Sequence, residues 1–63
     1  SMTHADKYNQ QIKHLLNAET YTQEEKKQVL QRVQRNIETD HMLDDDHRFD
    51  LISLVRWALH QVD

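Results

Sequence analysis

The chain contains no glycine and no proline. Tight hairpin turns rely on residues that reach positive φ, and strand-rich folds need many such turns. Phosphate-binding loops and dinucleotide fingerprints need glycine for close backbone approach. A chain without either residue is expected to be helical, with short polar connections and none of those nucleotide-binding motifs. Cysteine is also absent, which removes disulfides, thiolate nucleophiles and zinc-finger frameworks. With 63 residues there is room for one domain, 1–63, and a small core. Such a domain depends on close helix packing or on oligomerisation. Ser1 before Met2 reads as a residue left by tag cleavage and is set aside.

Three stretches carry helical periodicity. In the first, about 4–17, Ala5, Tyr8, Ile12, Leu15 and Leu16 recur at spacings of three and four. Thr3 can cap its start with Asp6 as a capping-box partner, and Asn17 or Thr20 can end it through a left-handed residue. The second, about 23–39, opens on Thr22-Gln23-Glu24-Glu25, a stronger capping box with acid at the positive dipole end. Val29, Leu30, Val33 and Ile37 form one narrow stripe along it. The third, about 45–62, follows Asp44-Asp45-Asp46. From Phe49 to Val62, nine of fourteen residues are apolar. Two narrow stripes and one wide face predict an all-α, three-helix bundle, the first two helices a hairpin that the third closes. Ile12, Leu16, Leu30, Val33, Ile37, Ile52, Val55 and Leu59 are the expected core.

The net charge of -3 is uneven: the chain to Ile37 carries +2 and the remainder −5. A nucleic-acid binder more often shows a basic surplus. No apolar run exceeds Trp57-Ala58-Leu59, so no span of a membrane is expected, and Met2-Thr3-His4-Ala5-Asp6 has no apolar signal core. The expected compartment is the cytoplasm.

Several residue groups invite a chemical reading. Asp40, His41, Asp44, Asp45, Asp46, His47 and Asp50 crowd the segment 40–50, but they match neither a calcium loop nor HExxH, so helix capping is preferred and no metal is assigned. Five histidines could form a proton switch; His41 and His47, beside carboxylates, are placed to favour the imidazolium. Exposed histidines more often do nothing. Ser53, Asp50 and His60 share one helix, which cannot aim them as a triad or build an oxyanion hole, so no catalytic residue and no cofactor is assigned. The Gln/Arg face of helix two, with Gln28, Gln31, Arg32, Gln34 and Arg35, resembles a base-reading surface in residue type. The acidic segment that follows disfavours duplex binding.

Phe49 and Trp57 fall off the apolar arc of helix three. With Ser53 they lie at i, i+4 and i+8, flanked by Arg56 and His60. Loop residues Tyr21, Met42 and Leu43 could fold over them within the monomer. Trp and Arg are enriched where proteins bind one another, so these five residues are the expected protein interface. The function expected is a small helical interaction module that self-associates, as a homo-oligomer, or docks on a larger partner as an inhibitor or adaptor. The alternative is a small transcriptional regulator using helix two on DNA. No small-molecule substrate is evident.

Overall fold

A computed structural model describes all residues, Ser1–Asp63. Three helices follow one another: α1 (His4–Asn17), α2 (Gln23–Thr39) and α3 (Asp45–Val62), with no strand. This is the all-α three-helix bundle that the periodicity predicts, with the same boundaries.

Each helix begins on a side-chain cap. The Thr3 hydroxyl accepts from the Asp6 N–H at 3.1 Å, and the Asp6 carboxylate accepts from the Thr3 N–H at 3.2 Å. Thr22 and Glu25 repeat the reciprocal pair at 3.0 and 2.8 Å. Asp44 accepts from the His47 N–H at 2.8 Å. These bonds satisfy first-turn donors that have no intrahelical partner.

The helix ends are different from the expectation. α1 does stop at Asn17, but through an extended Ala18 (φ -71°, ψ 128°), and no residue of the chain has positive φ. Its exposed carbonyls find a donor elsewhere: the Lys26 ammonium, from α2, donates to the Leu16 carbonyl at 3.0 Å. At the end of α2 the Arg48 guanidinium, from α3, donates to the carbonyls of Asp40 (3.0 Å), Leu43 (2.9 Å) and Ile37. A fork of fixed donors suits a cluster of carbonyls better than a single ammonium does. The Tyr8 hydroxyl donates to the Asp40 carboxylate at 2.8 Å, which ties α1 to the same corner.

Ten residues are buried, all of them apolar, and no buried polar side-chain atom lacks a partner. Ile12, Leu30, Val33, Ile37 and Val55 lie in the core as expected. Leu16, Ile52 and Leu59 do not: each is only half-buried. α3 buries Leu51, Val55, Ala58 and Val62, spaced four, three and four apart, which is the narrow arc that faces two neighbouring helices. Ile52 and Leu59 fall at its edge. On α1, Leu15 continues the stripe from Ile12 and takes the place expected of Leu16. Leu43 lies in the loop between α2 and α3 as expected, but it joins the core and does not cover the outer face of α3.

α3 packs against both other helices, more extensively against α2. The molecule measures 31 × 22 × 15 Å, so no second layer covers the outward side of any helix. No helix is long and apolar enough to cross a membrane.

Candidate functional site: the outer face of the third helix

α3 presents its narrow apolar arc inward, so whatever lies opposite Val55 faces out. Phe49, Ser53, Arg56, Trp57 and His60 all do so, and all five are exposed. Phe49 is 73% exposed and Trp57 53%. At 1.5 Å rise per residue the two rings emerge about 12 Å apart along the axis, with Ser53 midway. They form two contact points with a low saddle between them.

The loops supply no intramolecular cover for these rings. Leu43 turns into the core, and Tyr21 lines a separate cleft between α1 and α2 with Leu15, Val29 and Val33. Met42 is itself exposed, beside His4 and His47.

Trp57 is half of a feature that sequence reasoning did not find. Its ring, with Leu54, Val62 and the half-buried Leu16 of α1, lines an open groove between α1 and α3. Lys13 and Lys26 stand on the groove's margin. The sequence carries little signal for it, because Leu15 and Leu16 fit the stripe equally well and only the packing leaves Leu16 outside the core, where it flanks Trp57.

Other candidate groups fall into structural roles. Asp44 is the N-cap of α3, and its carboxylate also meets the His47 ring at 2.8 Å. The N–H of His47, and then its ring, hold the Asp44 carboxyl below the ordinary carboxylate range. Asp44 in turn raises the His47 imidazole above its ordinary value. Asp40 is held low by the Met42 N–H and then by the Tyr8 hydroxyl, with the His4 ring at 3.3 Å. Tyr8 is raised, first by burial and then by Asp40. No three His, Asp or Glu side chains converge as metal ligands would. Ser53 and His60 stand about 10 Å apart along the α3 axis, too far for proton transfer between them. On α2, Gln28, Gln31, Arg32 and Arg35 are exposed and Gln34 is half-buried, while neighbouring Lys27 meets the Asp63 carboxylate at 3.6 Å.

Comparison of the chain with protein-family models, with curated proteins and with solved structures finds no match.

Proposed function

We propose that the protein is a small helical interaction module that binds a protein surface through the outer face of α3. Phe49, Ser53, Arg56, Trp57 and His60 form the contact set, and the apolar groove beside Trp57 extends it. The observation that carries this reading is the exposure of Phe49 and Trp57 together on one helix of a bundle whose core is otherwise complete. Fully burying a large aromatic ring contributes roughly 2–3 kcal/mol by area, and Phe49 and Trp57, 73% and 53% exposed, each leave a large part of that gain unrealised. Trp and Arg side by side are the residue types that dominate binding energy at interfaces.

Self-association and docking on a larger protein are two forms of the same activity. Either requires the aromatic pair, so the test is a paired comparison of wild type and a Phe49→Ala/Trp57→Ala variant. Mass in solution and binding to immobilised wild-type chain should both fall in the variant while its circular dichroism stays helical. Assembly unaffected by the double change would place the interface elsewhere. Salt-dependent binding to duplex DNA, lost on Arg32→Ala/Arg35→Ala, would favour the regulator reading of α2 instead.

A further inference from the structure

We infer that the occupant of this face is a second copy of the chain, its α3 running antiparallel to the first, with the two-fold axis passing beside Ser53. This partner and orientation presuppose the interaction face proposed above.

A two-fold interface must be complementary to itself. In an antiparallel pair centred on Ser53, each residue before Ser53 comes level with the residue equally far beyond it on the other copy. The outer face of α3 has that symmetry. Four residues either side of Ser53 stand Phe49 and Trp57, three either side stand Asp50 and Arg56, and seven either side stand Asp46 and His60. All are exposed. Along the axis ring therefore comes level with ring, and in two further pairs acid with base; Asp46 and His60 lie near the middle of the seam, while Asp50 and Arg56 stand on opposite flanks of it. Ser53, small and exposed at the centre, lets the two helices approach closely.

Parallel pairing in the same register fails on charge. It stacks Asp46 on Asp46, Asp50 on Asp50 and Arg56 on Arg56, and aligns the two helix dipoles. Antiparallel pairing sets the acidic half of each α3 against the Arg56 and His60 half of the other and opposes the dipoles.

The flanks agree. Asp46, Asp50 and Trp57 lean to the same side of the face, the side on which α1 and its groove lie. The two-fold axis brings Asp46 and Asp50 of the second copy to that side, level with Trp57 and toward Lys13. Lys13 is exposed and forms no ion pair within its own chain. The groove thus gains from the second copy the acid that it lacks. On the opposite flank Arg56 comes beside the ring of Phe49 of the second copy, where a guanidinium can lie over an aromatic face. As a reversible association of two copies, the dimer is concentration-dependent.

Because the chain has no cysteine, single thiols report the geometry directly. At concentrations where light scattering shows dimer, mild oxidation should convert most of a Ser53→Cys variant to a disulfide dimer, while Gln31→Cys on α2 should not react. Asp46→Cys and His60→Cys should each cross-link poorly alone and give the mixed dimer as the main product when combined. All four positions are exposed, and a helical spectrum verifies folding. Self-linking of Asp46→Cys, with no mixed product, would overturn the antiparallel orientation and leave the α3 face standing. A monomer at every concentration, with no cross-link at Ser53→Cys, would overturn the second copy as occupant. A dimer that forms without any of these links and survives Phe49→Ala/Trp57→Ala would overturn the face itself.

Discussion

Lys26 and Arg48 occupy the same place in successive helices, the fourth residue, and each donates to carbonyls at the end of the helix before it. Helices commonly end on a left-handed glycine that folds the backbone over its own last carbonyls. This chain has no glycine and no positive φ. Cations from the next helix perform that task, at the negative end of each helix dipole. α2 carries no basic residue in its own last turn, and Arg48 brings positive charge there from α3.

Arg48→Met keeps an apolar stem and removes the donors to three carbonyls. A loss of about 2–3 kcal/mol is expected, in line with hydrogen bonds to a charged group that leave acceptors unsatisfied. Arg48→Lys should recover only part, since one ammonium cannot span the fork. Urea unfolding followed by circular dichroism measures both. A loss in Arg48→Met of less than about 0.5 kcal/mol, the range of ordinary surface changes, would show that water serves those carbonyls equally well.

Stability should pass through a maximum between about pH 5 and 6.5. Glu25, Asp40 and Asp44 are all held low, each first by a backbone N–H: that of Thr22, Met42 and His47 respectively. A depressed carboxyl contributes stability above its unfolded value, which is lost as pH falls through the folded one. His47 is raised above 6.5 by Asp44. Its contribution is complete below that value and disappears as pH rises through the folded one. Melting temperatures across pH should show both limbs, and His47→Gln should flatten the alkaline limb while reducing the acid limb only by the part of the Asp44 shift that the ring supplies. An unchanged alkaline limb in that variant would assign it to another group.

Adjacent leucines should differ. Leu15 is buried and Leu16 half-buried, so Leu15→Ala should cost about 2–5 kcal/mol and Leu16→Ala distinctly less. Val55 is fully buried, and Val55→Asp should leave the chain unfolded, because a carboxylate there has no partner. Equal losses at Leu15 and Leu16 in urea titrations would contradict the assigned stripe.

The sequence identifies the fold because its signals are local. Threonine and aspartate caps mark each helix start, and spacings of three and four mark each stripe. It does not determine which of two neighbouring apolar residues is buried. Leu15 and Leu16, or Leu51 and Ile52, fit the periodicity equally well, and the angle at which the helices meet decides between them. Arg48 is long-range in effect but leaves a trace: it precedes Leu51 and Val55 by three and seven, so a cation lies on the buried arc. The tie between Tyr8 and Asp40 leaves none, being a contact between residues far apart in sequence. The candidate surface was visible as Phe49 and Trp57 off the arc. The groove that continues it depends on Leu16 being excluded from the core.

Asp44 acts as a cap, and chelator should leave the melting temperature unchanged. Asp44→Ala should lower it by about 4–8 °C, the shift that a lost N-cap produces in a domain of this size. Scanning calorimetry with and without added divalent ions tests the assignment. A large upward shift with one particular ion would mean that the segment 40–50 coordinates it.

The most direct test of the α3 face is light scattering across roughly two decades of concentration, from about 10 μM upward, on wild type and Trp57→Ala. Loss of a central aromatic contact at an interface costs about 2 kcal/mol or more, some thirtyfold in dissociation constant. The wild-type mass should therefore rise toward twice that of the monomer, while the variant remains helical and monomeric over the same range. A wild type that stays monomeric throughout, beside a variant that is unfolded at every concentration, would make Trp57 a residue of the monomer's own core and contradict the account.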